Sequence, residues 1–340
     1  MVPSRTLRLV ALVASLALRA CRSEGKCAGP APTRGGLNLT IVSAANSKFA
    51  APQLAQLVQL REKMEAECML ARARVITYDL GFHDCERDAL RRILPMLGPQ
   101  FELRTFEFAK FPKHVAQLGC YAWKAPIVRG VADEVGPGSV VMWIDSGARF
   151  AAPMASVIEA AVGGGGFVSG QTGLTVRELT HPAALAYFAD TYGLPAAEAL
   201  RLKPNATYSK GHGVVRGGVR FGAEAEAWSN CDGAFSAHWK GSARFADVTV
   251  PWDECARVQA CVCPPGSSRS NHRQDQAALT LLAIRARHDC GSYEKLVQAR
   301  ALNPNLARFS SRDAPAKESA AEKQRSFCAH AADFQYPAPR

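Results

Sequence analysis

The sequence predicts an α/β protein with a mostly parallel central sheet flanked by helices. Three observations carry this. Apolar stretches of strand length alternate with amphipathic stretches of helix length from residue 37 to Asp145, the pattern of successive βαβ units. The first and last of these strands read as buried. Two strands end on an aspartate, Asp79 and Asp145, and the carboxyl edge of a parallel sheet is where such proteins hold ligands.

The elements follow in order. LNLTIVSAAN reads as a buried strand leaving into a loop of small residues. APQLAQLVQLREKMEAEC places Leu54, Leu57, Leu60 and Met64 on one side of a helix. ARVITYDLGF is the second strand and ends at Asp79. CERDALRRILPML is a short helix that Pro95 is expected to interrupt. FELRTFEF alternates as a third strand. HVAQLGCYAWKAPIVRGVADEV is expected to be mostly helical with a kink at Pro126, and GSVVMWID is the fourth strand. FVSGQTG is a further strand. TVRELTHPAALAYFADTYG gives one or two helices broken at Pro182, and GHGVVRGGVRFG alternates as a strand pair. Asn271 is expected to cap the last helix, with Gln274 as its capping-box partner. That helix turns Leu279, Leu282 and Ile284 inward, and His272, Asp275 and Gln276 would share its first-turn face.

The ends differ in character. Arg5 and Arg8 precede an apolar run from Leu9 to Leu18, the build of a signal peptide or short signal anchor over residues 1–21; a full bilayer span needs ~20 apolar residues. Residues 22–36 read as a linker or stem, 37–300 as the folded domain, and 301–340 as a polar tail held at Cys328. Entry to the secretory pathway agrees with eleven cysteines, many of which would pair in an oxidising lumen. Cys255, Cys261 and Cys263 lack zinc spacing and read as disulfide partners. Of two glycosylation sequons, at Asn38 and Asn205, the second lies in a polar loop and is the better acceptor.

The formal net charge is +11. The excess is scattered, without the basic block of a nucleic-acid arm, so it reads as solvated surface and nucleic acid is not an expected partner. There is no G-x-G-x-x-G after the first strand, no P-loop motif and no G-x-S-x-G elbow. Dinucleotide binding of the Rossmann kind, P-loop phosphate chemistry and α/β-hydrolase chemistry are thereby set aside.

Asp145 stands at a strand end before Ser146 and Gly147, small residues that would admit a metal–diphosphate; carboxylate oxygens suit Mn²⁺ or Mg²⁺. A turn cap is the plainer role for it. Tyr78 and Asp79 either hold a base or ribose or simply close a turn. Lys124 lies either on a solvated helix face or against phosphate. Asp275 either serves chemistry or complements the helix dipole, and His272 either caps or ligates. Trp123 and Trp143 read as core aromatics.

VITYDLGF, GCYAWKAPIV, VVMWIDSGARF and CPPGSSRSNHRQDQAALTLL, in that order, resemble an uncharacterised eukaryotic family of glycosyltransferase-like proteins similar to GT-A nucleotide-diphospho-sugar transferases. The resemblance covers roughly residues 38 to 290 and implies a GT-A-like single domain. It implies an activity moving a hexose from a nucleotide sugar, a UDP-sugar first, to a glycan or glycoprotein acceptor; the signal-like N-terminus adds the Golgi lumen or secretion as the place, with membrane anchoring at the N-terminus as an option. Asp145 is implied as a metal or ribose–diphosphate ligand, and Asp275 and Gln276 as lining the donor sugar or acceptor. The sequence departs from the family's D-x-D motif: it reads Asp145-Ser146-Gly147, without the second carboxylate. Ser146 or one of His238, His272 and His288 would have to complete a metal site, or Arg149 or Lys124 would neutralise the diphosphate without one. A non-catalytic carbohydrate-binding relative is the alternative.

Overall fold

Four parallel strands form where the apolar runs predict them. The computed structural model describes residues 38–148, 153–199, 215–216, 219–220, 229–288, 290, 324, 327–329 and 331. The expected signal and stem, Arg149, the Asn205 sequon and most of the polar tail lie outside the described residues. The chain divides into two compact units, Met1–Phe106, Ser139–Glu159 and Leu296–Arg340 in the first, Glu107–Gly138 and Ala160–Lys295 in the second.

The first unit holds β1 (Asn38–Ala45), α1 (Ala50–Ala66), β2 (Ala73–Asp79), α2 (Asp84–Leu97), β3 (Phe101–Thr105) and β4 (Ser139–Ile144). The strands lie in the order β3-β2-β1-β4, all parallel. Asp79 stands opposite Ala45 on one side and Thr105 on the other, and Trp143 stands opposite Val42. Asp79 and Asp145 therefore emerge at the same, carboxyl edge. Leu39, Ile41, Val42 and every residue from Val140 to Trp143 have no exposed surface. Parallel strands covered by crossover helices bury both faces, and each such side chain contributes about 1.5–3 kcal/mol.

Three expectations here are corrected. Pro95 does not interrupt α2, which continues to Leu97. It sits in the last turn, where its missing N–H leaves one carbonyl of the preceding turn without its helical bond but does not end the helix, and Gly98 at φ 126° closes it. β3 stops at Thr105 instead of Phe108, because Phe108–Lys110 turns into a short 3₁₀ helix. The buried face of α1 takes Leu57, Leu60 and Met64 but leaves Leu54 half-buried; Gln53 and Gln56 are fully buried in its place. Cys85 on α2 is bonded to Cys328, which pins the described part of the tail.

The second unit holds α3 (Lys124–Val135), β5 (Phe167–Thr175), α5 (Pro182–Tyr192), α6 (Ala196–Ala199), a ribbon of β6 (Val215–Arg216) and β7 (Val219–Arg220), β8 (Ser229–Trp239), α7 (Val250–Ala256), α8 (Gln259–Val262) and α9 (Gln274–Arg285); α4 (Met154–Gly163) leads into it. β5 and β8 pair antiparallel, whereas β1 to β4 are parallel, the strands from which the sequence predicts a mostly parallel sheet. Residues 113–120 form 3₁₀ turns in place of the expected long helix. α3 starts only at Lys124, and Pro126 causes no kink because it lies in the first turn, where its missing N–H has no helical partner to lose. Pro182 does break the chain as expected, as the first residue of α5.

Asn271 does not cap α9. Its Oδ1 accepts from the Ser268 backbone N–H at 2.7 Å and its amide donates to the Gly266 carbonyl at 3.1 Å, tying off a loop. Ten of the twelve residues of α9 are buried, Leu279, Leu282 and Ile284 among them. Cys255 is bonded to Cys261, Cys120 to Cys263 and Cys231 to Cys290, so the cysteine cluster is a set of disulfides, as its spacing suggests.

Candidate active site

The second unit builds a buried charged centre from three distant segments. β8 supplies the first. Ser169 pairs with Ser236 and Gln171 with Cys231, so residues 232–235 bulge where β5 offers only Gly170. Ser169 Oγ lies within hydrogen-bond distance of the carbonyls of Asp232 (3.2 Å) and Phe235 (3.0 Å) across the bulge. Gly233 lies within it. A Cβ there would sit 2.8 Å from Asp275 Oδ2, 3.0 Å from Gln276 Nε2 and 2.6 Å from Gln276 Cγ. Both side chains therefore converge on the space that the missing side chain leaves.

α3 supplies the cation. Lys124 Nζ lies 3.2 Å from Asp275 Oδ2, with side-chain exposures of 3% and 6%, and donates to the Gly233 carbonyl at 2.8 Å. It also sits 5.2 Å from the Tyr121 ring centre and 5.8 Å from that of Trp123, contacts that offset lost hydration. Lys124 is thus neither on a solvated face nor exposed to a passing anion: it is one half of a buried ion pair. α9 supplies the carboxylate. Asp275 stands in its first turn, where the helix dipole favours negative charge, and the Trp252 indole donates to its backbone carbonyl at 3.2 Å. Beside it, Gln276 is half-buried and its Oε1 has no hydrogen-bond partner among the described residues. Such an acceptor is left for a donor from outside, a ligand hydroxyl or water.

The backbone is strained on both sides of this pair. Tyr121, three residues before Lys124, has φ 53°, and Gln274, directly before Asp275, has φ 40°. Left-handed conformations at such residues cost about 1–3 kcal/mol and concentrate where function needs a set geometry. The Cys120–Cys263 disulfide joins the segments that lead to Lys124 and Asp275.

His272 does not join Asp275 and Gln276 on the helix face. It is buried ahead of the helix, its Nδ1 accepting from the His181 backbone N–H at 3.2 Å and its Nε2 facing the Val262 carbonyl at 3.2 Å. Nδ1 is therefore unprotonated and Nε2 carries the hydrogen. Burial, with His181 nearby, takes its pKa down to about 4. His238 is buried between Thr249 Oγ1 and Ser236 Oγ, stacked on Trp252, and burial lowers its pKa to about 3.

In the first unit, Asp145 follows β4. Its Oδ1 accepts from the indole of fully buried Trp143 at 2.9 Å. Gln56 Nε2 donates to the carbonyls of Asp145 (2.6 Å) and Ala148 (3.0 Å), clamping the Asp145-Ser146-Gly147 turn, while Gln53 donates to Gln56 Oε1 at 3.2 Å. Ser146 is buried. Asp79 is engaged in its own turn: Oδ1 accepts from the Gly81 and Phe82 backbone N–H groups at 2.7 and 2.6 Å, and Oδ2 pairs with Arg87 at 2.6 Å. Tyr78 is half-buried, its hydroxyl 3.4 Å from Arg104.

Toward a divalent cation the described residues offer few ligands. Asp145 brings one carboxylate, with one oxygen committed to an indole N–H, and the described residues hold no group of three His, Cys, Asp or Glu that could close around a cation.

Residue types gave no sign of Gly233, Tyr121, Gln53 or Gln56. A glycine inside a strand run is a signal for a bulge; glutamines on the inner face of an amphipathic helix give none.

Comparison with known proteins found similarity to solved structures alone. No family model and no curated protein matches it. Among solved structures, the yeast (S. cerevisiae) mannosyltransferase Ktr4p in complex with GDP is similar at 11% identity and TM-score 0.42, over 81% of this chain and 75% of that one. The galactosyltransferase LgtC in complex with donor and acceptor sugar analogs is similar at 12% identity and TM-score 0.38, over 88% and 98%. Mouse xyloside xylosyltransferase 1 is similar at 10% identity and TM-score 0.38, over 74% and 83%. Among the described residues, no helix is long and apolar enough to cross a membrane.

Proposed function

We propose that this chain is a glycosyltransferase of GT-A type that moves a hexose from a nucleotide sugar, a UDP-sugar first, to a hydroxyl of a glycan or glycoprotein in the secretory pathway. The observation that carries the reading is the buried Lys124–Asp275 pair beside Gln276, built around a glycine that leaves it room. Gln276 Oε1, an acceptor with no partner among the described residues, suits a ligand hydroxyl. In this reading Asp275 lies at the reacting centre. If the reaction inverts, it takes the proton from the attacking hydroxyl. Lys124 keeps that carboxylate fixed and compensated, and Gln276 orients sugar hydroxyls. No step runs through a metal. The disulfides support an oxidising compartment.

The missing second carboxylate after Asp145 favours one other reading, a carbohydrate-binding relative without turnover. The two separate in one experiment. The chain from residue 26 onward, made in a secretory host, is incubated with UDP-, GDP- and CMP-sugars, with Mn²⁺ or with EDTA, and free nucleotide is followed. The transferase releases nucleotide from one donor, unaffected by EDTA. Saccharide binding without release from any donor supports the binding protein, and EDTA-sensitive release contradicts the metal-free site.

A further inference from the structure

Among the described residues Arg269 is a cation without a counter-charge, held at the rim of the Lys124–Asp275 centre. It is exposed, at the apex of the loop between Cys263 and His272. Among the described residues no carboxylate pairs with it. Its one hydrogen bond there is from Nη1 to the Tyr121 hydroxyl at 3.1 Å, and its guanidinium carbon lies 5.8 Å from the Tyr121 ring centre. The same ring lies 5.2 Å from Lys124 Nζ. One aromatic side chain thus links the buried pair to an exposed guanidinium.

The contact is preorganised from both ends. Tyr121 adopts a left-handed backbone next to Cys120, and Cys120 is bonded to Cys263, six residues before Arg269. The loop is closed by Asn271, which binds the Ser268 N–H and the Gly266 carbonyl, and by the His272 N–H on the Ser268 carbonyl at 2.8 Å. Ser268 and Ser270 flank the arginine and share a hydrogen bond at 2.7 Å. A long cationic side chain on a surface ordinarily pays rotamer entropy when it binds. This one is already held on the Tyr121 hydroxyl, and among the described residues four of its five N–H donors stay available in the fork geometry that matches carboxylate and sulfate.

We propose that Arg269, with Tyr121 beneath it, is a subsite for an acidic substituent, carboxylate or sulfate, on the saccharide acceptor. Placing it as an acceptor subsite rests on the glycosyltransferase reading of the Lys124–Asp275 centre; the binding of an acidic saccharide does not need turnover.

The test is calorimetric binding of two matched pairs to the disulfide-intact protein: a hyaluronan tetrasaccharide against its carboxyl-reduced neutral form, and 6-sulfolactose against lactose. The acidic member of at least one pair binds about tenfold tighter than its neutral partner. The preference disappears in Arg269→Gln and survives in part in Arg269→Lys. The pair that shows it tells carboxylate from sulfate. Equal binding within both pairs, absence of binding included, overturns the proposal. So does a preference that persists in Arg269→Gln, which would belong to the general basic surface. Donor release to water, measured alongside, is unchanged by Arg269→Gln. If the acidic preference holds and no donor is released, the subsite stands and the transferase reading falls.

Discussion

Gly233 sets how closely Asp275 and Gln276 approach β8. Replacing it with alanine puts a methyl group 2.8 Å from a carboxylate oxygen and 2.6 Å from Gln276 Cγ, so one of them must move. Overpacking of this kind costs about 1–3 kcal/mol. Gly233→Ala is expected to lower the melting temperature by several degrees and to cut donor release more than tenfold; unchanged release would show that the two side chains need not converge. His272 and His238 act on stability at the same scale. Both are neutral when folded, with pKa values that burial holds at about 4 and about 3 against 6.5. Between those values and 6.5 the unfolded chain binds more protons. The stabilisation is therefore fully present above pH 6.5 and is lost as pH falls toward 4 for His272 and toward 3 for His238, at up to about 1.4 kcal/mol per pH unit for each histidine. Proton NMR of the imidazoles at pH 5 should show both rings neutral, and a ring titrating near 6.5 would contradict this burial.

At the scale of elements, the Cys120–Cys263 disulfide ties the approach to α3 to the approach to α9. Replacing both cysteines by serine should cost about 2–5 kcal/mol and should reduce donor release by more than the fraction unfolded accounts for. Removing Cys85–Cys328 in the first unit should lower stability without that extra loss; equal effects of both would deny the tie a functional part. The elements were legible to different depths. β1, β2, β4 and α9 could be read because continuous apolar runs and helical spacing are local properties. The stretch 113–123 could not, since its helical composition yields to Gly119 and to the left-handed Tyr121, a conformation set by the disulfide and by packing. Asn271 looked like a helix cap because its type fits; whether a cap or a loop closure wins depends on Ser268 and Gly266, which fold back only in three dimensions.

Across the whole molecule, the sequence named both partners of the central pair, Lys124 and Asp275, without any sign that they meet, for 150 intervening residues carry no local signal of contact. It also named His272 and Asp79, residue types that ligate or catalyse elsewhere and here hold loops together. The account stands on the claim that the Lys124–Asp275 pair is there for chemistry rather than to hold the second unit in shape. Removing one partner alone leaves a buried unpaired charge and costs about 3–5 kcal/mol, so single variants do not separate the two roles. The decisive measurement is donor release by Lys124→Met/Asp275→Asn, in which both charges are gone together, on protein whose melting temperature has been checked. The double variant should remain folded and release no nucleotide above background. Release at the level of the native chain would contradict the account and make the pair a structural one.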